Sequence, residues 1–139
     1  MDLYRKNKLY HRSEHLVFKC CYHVIFCPKY RKTILVGSVS NRLKEICIDI
    51  ALSHDFIIEE IETDKNHIHM IINCNPRYGI MKCVQLIKQI SAYNLFNEFP
   101  FIRRNHLWGG KFWSRSTFIS TVGSVSLETV KKYIENQGK

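Results

Sequence analysis

The sequence is short of acidic residues relative to basic ones, and this imbalance narrows the range of partners. It contains 12 Asp and Glu residues against 21 Lys and Arg residues, so the formal net charge is +9 at pH 7. A positive surplus of this size attracts polyanions, of which nucleic acid is the first candidate. General solubility is the alternative explanation, but several basic residues alternate with aromatic ones, and this pattern favours nucleic acid.

Long apolar runs are missing as well. No stretch is long enough to span a bilayer, and the N-terminal residues Met-Asp-Leu-Tyr-Arg-Lys lack the apolar core of a signal peptide. We therefore expect a soluble cytoplasmic protein without a membrane partner. A length of 139 residues predicts a single domain, residues 1–139, built around one hydrophobic core.

The sequence has six cysteines but no Cys-X-X-Cys pair, which makes a structural zinc site improbable on spacing alone. Cys20 and Cys21 are adjacent in a strand-like run, so their side chains would point to opposite faces of a sheet. Cys47 and Cys83 occupy apolar positions of helical patterns. The pattern predicts buried free thiols rather than a disulfide framework.

The apolar periodicity predicts strands and helices in the order β-α-β-β-α-β-α. Residues 1–14 are basic and without clear periodicity, which is typical of a flexible arm or a short lead-in strand. The predicted elements are strand 15–27, helix 39–54 with Ser38 or Ser40 as N-cap, strand 55–63, a histidine-containing strand within 64–73, helix 80–98, strand 111–121 and helix 126–137.

The first six elements match the ferredoxin-like βαββαβ arrangement, an α+β fold with an antiparallel sheet. In that topology the first and third strands are central, and both helices cover one face of the sheet. An apolar face that includes Met81, Val84, Ile87, Tyr93 and Leu95 would attach the second helix to the core. The extra helix 126–137 would follow the last strand after a break at Gly123-Ser124.

The stretch 64–73, Asp-Lys-Asn-His-Ile-His-Met-Ile-Ile-Asn, carries the first candidate site. Side chains of a strand alternate between its two faces, so His67 and His69 point one way and the apolar residues between and after them point the other. Two imidazoles on one face can bind one divalent metal ion. A surface strand that carries two histidines by chance is the alternative, because His-X-His alone is a weak signal.

The last predicted helix offers the residues that such a site would still need. Tyr133 and Gln137 are spaced i, i+4 and share one helical face. The Tyr133 phenol can act as a nucleophile, and the Gln137 carbonyl can complete a metal site with His67 and His69. Asp64 could orient one of the histidines through a hydrogen bond. An ordinary helix aromatic and a frayed terminus explain the same spacing equally well.

With those residues, a divalent ion would polarise a scissile phosphate, and Mg²⁺ or Mn²⁺ suits that chemistry. A basic, aromatic-containing loop follows Pro28, and its residues Lys29, Tyr30, Arg31 and Lys32 suit contacts with phosphates and bases. A solvated turn is the alternative for this loop; the overall charge favours contact with nucleic acid.

Four stretches, in this order, span nearly the whole chain and together resemble the single-tyrosine HUH transposases of bacterial and archaeal insertion sequences, the TnpA or IS200-like type. The stretches are Tyr-His-Val-Ile-Phe-Cys-Pro-Lys-Tyr-Arg-Lys at 22–32, Thr-Asp-Lys-Asn-His-Ile-His at 63–69, Phe-Ile-Ser-Thr-Val-Gly at 118–123 and Val-Lys-Lys-Tyr-Ile-Glu-Asn-Gln at 130–137.

The resemblance implies that His67, His69 and Gln137 bind a divalent ion and that Tyr133 attacks single-stranded DNA at the ends of an insertion sequence. It implies a 5′-phosphotyrosine link, a free 3′-OH, terminal DNA hairpins as recognition sites, and a homodimer in which the tyrosine helix can complete the partner's site. A replication initiator or a repeat-associated tyrosine transposase is the nearest alternative; because the histidines precede the tyrosine, a relaxase-like arrangement is excluded. A non-catalytic nucleic-acid-binding module is the alternative outside enzymes.

Overall fold

A computed structural model describes residues 11–13, 16–107, 110–123, 132 and 134–136 of the protein. Its centre is a four-stranded antiparallel sheet with helices packed on it, which confirms the predicted α+β class. The sheet strands are β3 (Cys21–Phe26), β4 (Ile57–Asp64), β5 (His67–Asn73) and β6 (Phe118–Thr121), in the spatial order β4-β5-β3-β6. The first long strand and the histidine strand are therefore the two central strands, as predicted.

The predicted strand 15–27 is wrong in one respect, because it is divided into two. Its first part, β2 (Leu16–Phe18), pairs with β1 (His11–Ser13) in a separate two-stranded sheet. At Cys20 the chain changes partner: the Cys20 N–H donates to Asn73 Oδ1 at 2.8 Å, and β3 then continues along β5. Residues 11–13 thus form the lead-in strand, and the rest of the predicted arm, 1–10 and 14, lies outside the described residues.

Helix α1 (Gly37–Ser53) begins two residues earlier than predicted, so the expected serine N-caps are wrong. Extended Val36 precedes the helix, and Ser40 lies inside it with its hydroxyl 2.6 Å from Thr63 Oγ1. The apolar stripe of α1 is buried as expected, and it packs against the same core as the inner face of the sheet. Its buried members include Leu43, Ile46, Cys47, Ile50 and Ala51.

Helix α2 (Gly79–Glu98) begins one residue before the predicted start and ends at the predicted residue, before Pro100, but two residues assigned to its apolar face are exposed. Met81 is 53% and Tyr93 71% accessible to solvent. The buried stripe includes Cys83, Val84, Ile87, Ser91 and Leu95. A serine fits in this stripe because its hydroxyl donates to the Ile87 carbonyl and accepts the indole N–H of Trp113 at 3.0 Å.

Both helices cover one face of the sheet, as predicted. The opposite face, called the open face below, carries half-buried histidines beside Ile25, which is fully buried. Val24 and Phe26 of β3, together with Ile68, Met70 and Ile72 of β5, lie in one buried cluster with the apolar stripes of α1 and α2. This cluster holds both central strands in place by burying apolar surface on their inner side. The alternate residues of the same strands face away from the helices.

The predicted strand 111–121 is wrong over its first half, since only Phe118–Thr121 forms β6. Ile25 pairs with Phe118, whereas Pro28 forms an isolated bridge with Trp113 instead of continuing that register. The residues between these two pairs do not continue the strand pairing, and Pro28 has no N–H to donate to it. The chain between α2 and this segment contains the short helix α3 (Pro100–Ile102) and a π-helical turn, Arg103–Leu107.

The last predicted helix, 126–137, is described only in part. Residue 132 and residues 134–136 are helical, while Tyr133, Gln137 and the remainder of the range lie outside the described residues. The six cysteines all lie within the described part and are free thiols, as predicted; four are buried, whereas Cys20 and Cys21 are only half-buried. Among the described residues, no helix is both long and apolar enough to cross a membrane.

Candidate active site

A tight hairpin between β4 and β5 positions the two predicted histidines. Asp64 pairs with His67 and Glu62 with His69 across this hairpin, and only Lys65 and Asn66 lie between the strands. Both histidines are half-buried while Ile68 between them is fully buried. His67 and His69 therefore share the open face of the sheet, and the predicted alternation is confirmed.

The turn itself selects which nitrogen of His67 is available to a ligand. The Leu35 N–H donates to the Lys65 carbonyl at 2.9 Å and holds the turn against the body of the protein. Asn66 Oδ1 lies 3.0 Å from His67 Nδ1. Because an amide oxygen only accepts, Nδ1 carries the proton and Nε2 keeps its lone pair. That nitrogen is the one that can bind a metal ion.

Asn66 makes the hydrogen bond to a histidine that the sequence pattern suggested for Asp64. The Asp64 Oδ1 accepts the backbone N–H of Lys65 at 2.7 Å, so this carboxylate closes the turn. Its negative charge raises the pKa of His67 and so opposes part of the lowering that burial and Arg31 cause. The orienting role of Asp64 stays a prediction. Asn66 was missed, although a short amide immediately before a histidine in a turn is a usable signal.

The environment of both histidines favours the neutral form that a metal ion requires. Burial lowers the pKa of His67, and the positive charge of Arg31 adds to this lowering. Burial also lowers the pKa of His69, with a further lowering from the neighbouring His23 that the carboxylates of β4 oppose. These shifts favour the neutral imidazole, in which one nitrogen carries a proton and the other keeps a lone pair that can bind a metal ion.

A third histidine, His23 of β3, lies beside His69, and it was not predicted as part of the site. His23 pairs with Ile71 in the β3–β5 ladder, so His69 is its diagonal neighbour on the same face. Its Nδ1 lies 3.1 Å from His69 Nε2. The signal was present in the sequence: His23 falls on the outer face of a strand that was expected to lie next to the histidine strand.

The basic loop predicted to contact DNA forms a short turn, Lys29–Arg31, directly after β3. Tyr30 and Arg31 both have left-handed backbone conformations, with φ of 59° and 53°. This conformation costs a non-glycine residue about 1–2 kcal/mol, so the surrounding structure must hold it. Tyr30 is 64% exposed, and Lys29 Nζ lies 5.5 Å from the centre of its ring.

Arg31 turns away from the tip of this loop and reaches the last helical segment. Its Nη1 donates to the Glu135 carbonyl at 3.0 Å. The same guanidinium is close enough to influence the pKa of His67. One side chain thus connects the segment 134–136, which follows Tyr133 in sequence, with the open face that carries the histidines.

Lys88 of α2 is a further unusual cation, but it lies on the other side of the sheet. Its ammonium sits over the ring of Phe26, an inner-face residue, and donates to the Ser114 and Ser116 carbonyls at 2.9 and 3.3 Å. Burial lowers the pKa of Lys88 to about 8. It lines a groove of about 640 Å³ together with Lys111 and Arg115. These contacts stabilise the segment before β6 and do not bring Lys88 to the histidines.

Within the described residues, no three His, Cys, Asp or Glu side chains gather with metal-binding geometry. His67 and His69 are brought to one face, and a metal site built on them would need a third ligand from another type of residue or from outside this part of the chain. The predicted ligand Gln137 and the predicted nucleophile Tyr133 both lie outside the described residues. Their predicted roles therefore stay predictions.

Comparisons with known proteins identify the family of the chain. The sequence profile of the family described as "Transposase IS200 like" matches residues 16–137. The chain is 36% identical over 121 residues to the ISDra2 transposase TnpA of Deinococcus radiodurans, covering 87% of this chain and 86% of that protein. It is 28% identical over 126 residues to the transposase for insertion sequence element IS200 of Salmonella typhimurium, covering 88% and 80%.

Two solved structures share the fold. A proposed transposase from Deinococcus radiodurans superposes with a TM-score of 0.81 at 32% identity, over 91% of this chain and 97% of that one. A REP-associated tyrosine transposase bound to a REP hairpin superposes with a TM-score of 0.54 at 13% identity, over 97% and 69%. The family profile spans most of the chain, and so the chain belongs to the IS200-like transposase family and functions as a DNA transposase.

Proposed function

We propose that this transposase cleaves and rejoins single-stranded DNA at insertion-sequence ends, with Tyr133 as nucleophile and a divalent ion, Mg²⁺ or Mn²⁺, held by His67, His69 and Gln137. The observation that carries the proposal is the pair of half-buried imidazoles on the open sheet face, one of which keeps its Nε2 lone pair free. The lowered pKa of each ring agrees with a role as ligand. Neutral imidazole can bind both ions, and a nitrogen ligand favours Mn²⁺ over Mg²⁺.

The ion would supply charge stabilisation to the scissile phosphate. The protein's own part is to place the attacking group and the substrate. The Tyr133 oxygen forms a bond to phosphorus while the bond from phosphorus to the 3′-oxygen breaks, and the phenolic proton is balanced by the proton that the 3′-OH gains. Rejoining is the reverse reaction with another 3′-OH, so no external energy source is needed.

The contact from Arg31 to Glu135 supports a nucleophile near the histidines. Arg31 hydrogen-bonds the segment that follows Tyr133 in sequence, and its positive charge is close enough to lower the pKa of His67. In the same loop, exposed Tyr30 is available for base stacking. We place the DNA strand along this loop, with Lys29, Arg31 and Lys32 near its phosphates. The strand order β4-β5-β3-β6 supports a ferredoxin-like sheet as the scaffold. We also propose a cytoplasmic location, which membership of a family of DNA transposases supports.

The decisive experiment incubates the protein with Mg²⁺ or Mn²⁺ and labelled single-stranded DNA that carries the element end, and then separates products on a denaturing gel. Wild type should form a covalent adduct, and Tyr133→Phe should form none while still binding the DNA. Tyr93→Phe is the matched control, since Tyr93 is an exposed helical tyrosine of α2. An adduct in Tyr133→Phe would refute the role of Tyr133 as nucleophile. The absence of an adduct in wild type with either ion would refute the proposed reaction and favour a non-catalytic binding module.

We also propose a homodimer that binds hairpins, a partner class suggested by the hairpin-bound relative. Mixing Tyr133→Phe with His67→Ala tests how its active sites are assembled. If the tyrosine helix completes the partner's site, mixed dimers contain one intact site and regain activity. If each subunit builds its own site, every subunit of the mixture carries a defect and activity does not return.

A further inference from the structure

His23 and His69 meet nitrogen to nitrogen, and the geometry of their rings fixes how they can share a proton. The distance from His23 Nδ1 to His69 Nε2 is 3.1 Å, the ring centroids are 5.3 Å apart and the ring planes differ by 19°. The centroid separation exceeds the nitrogen separation by about twice the radius of an imidazole ring. Only rings that point at each other edge to edge satisfy both distances, so this is an in-plane hydrogen bond and not a face-to-face stack.

An in-plane hydrogen bond excludes His23 as a third ligand of the same ion. The lone pairs of the two facing nitrogens lie along one line, and an ion cannot lie on both lone-pair axes within the 3.1 Å between them. Metal–imidazole bonds are about 2.0–2.1 Å long, so an ion between the rings would need a wider gap. The absence of a three-residue ligand cluster in the described part of the chain agrees with this.

The bond also constrains the tautomer of His69. One proton lies between the two nitrogens. If it belonged to His23, then His69 would accept through Nε2 and would carry its own proton on Nδ1, with no lone pair left for an ion. If it belongs to His69 Nε2, then Nδ1 of His69 keeps its lone pair. Only the second arrangement leaves His69 able to act as a ligand while the observed hydrogen bond is kept.

We propose that His23 is a positioning residue of the metal site: its Nδ1 accepts the Nε2 proton of His69 and so directs the Nδ1 lone pair of His69 to the ion. The inference rests on the proposed function, in which His69 is a ligand. The two histidines are then prepared by different partners, since the Asn66 amide oxygen holds the proton of His67 on Nδ1. Each histidine then presents one defined nitrogen to the ion. Fixing the tautomer of a metal-binding histidine is the usual role of the residue that hydrogen-bonds its other nitrogen.

The arrangement is built from the sheet rather than from a loop. His23 and His69 belong to the two central strands, whose inner faces are fully buried through Val24, Ile68 and Met70. Neither ring can shift along its strand without breaking the ladder and exposing this core. The His23 ring therefore holds His69, which lies near the hairpin end of β5, in one orientation.

The test combines a metal titration with a reading of the tautomer in metal-free protein. Asparagine at position 23 carries an oxygen at the same branch point as the histidine Nδ1, and this oxygen only accepts. We expect His23→Ala to weaken Mn²⁺ binding in calorimetry by about 10- to 100-fold, the usual effect of losing such a partner, and His23→Asn to restore most of the affinity. His54→Ala is the control, because His54 is a half-buried histidine that bonds the Ile50 carbonyl at the end of α1.

The ring nitrogens of His69 are read by nitrogen NMR on histidine-labelled protein without metal. Wild type and His23→Asn should show Nε2 protonated and Nδ1 unprotonated, and His23→Ala should show a mixture of tautomers. A proton on Nδ1 of His69 in wild type, or unchanged Mn²⁺ affinity in His23→Ala, would overturn the role of His23. Wild type that binds no divalent ion would instead overturn the proposed function, while the tautomer would still show whether His23 accepts.

Discussion

Removal of the Arg31 side chain should loosen the last helical segment while leaving the histidine face intact. Arg31 Nη1 donates to the Glu135 carbonyl at 3.0 Å in a surface position. A hydrogen bond from a charged donor contributes more than a neutral one, but exposure to water reduces the gain, so about 1 kcal/mol is a reasonable size for this contact. That free energy corresponds to about a fivefold larger population of the open segment.

Amide hydrogen exchange measures this directly. In Arg31→Ala the amides of residues 132 and 134–136 should exchange about fivefold faster, and those of β5 should be unchanged, because β5 is held by ladders on both sides. Adduct formation should fall by at most the same factor if the segment carries the nucleophile, because only the closed segment can react. Lys29→Ala is the matched control, since it removes one positive charge from the same turn.

Equal exchange of the last segment in Arg31→Ala and wild type, or equal acceleration in Lys29→Ala, would refute the role of the hydrogen bond from Arg31. Such a result would mean that Arg31 acts only as a positive charge toward DNA, as the sequence pattern alone suggested. Arg31→Gly adds a second check, because glycine adopts the observed φ of 53° without strain. It should restore or raise global stability relative to Arg31→Ala and still show the faster exchange.

Two further predictions concern the site and the fold. Asn66→Ala should weaken Mn²⁺ binding by about 10-fold or more because Nδ1 of His67 loses its acceptor, whereas Asp64→Asn should have a smaller effect; calorimetry in which Asp64→Asn is the worse variant would contradict the assignment of Asn66. Burial lowers the pKa of Lys88 to about 8 from 10.5, so the unfolded chain binds more protons between these values and stability should rise with pH across that window. Urea unfolding should show this rise as a difference between the two proteins: the stability of wild type relative to Lys88→Met should increase by about 1 kcal/mol across the window, after allowance for solvent screening. The buried thiols such as Cys27 and Cys47, whose raised pKa values lower stability over the same range, are common to both proteins; equal pH slopes for the two proteins would contradict the role of Lys88.

Local patterns in the sequence were sufficient for much of the scaffold. The alternation from His67 to Ile72 determined which side chains share a face, because a strand has a period of two whatever its neighbours are. Helix α2 was predicted within one residue, since an apolar stripe and a following proline are both local signals. The family resemblance rested on short motifs whose order was visible in the sequence, and the matching family profile confirms it.

Contacts between distant segments decided the rest. The division of strand 15–27 near Cys20 depends on Asn73, more than fifty positions away, and the exposure of Met81 and Tyr93 depends on which side of α2 meets the sheet. No window of sequence contains these contacts, because register and packing are set by pairing across the fold. The histidine pair could therefore be predicted from the sequence itself. The tautomers of that pair, through Asn66 and His23, followed only from the hairpin and the β3–β5 ladder, which bring the partner atoms within hydrogen-bonding distance.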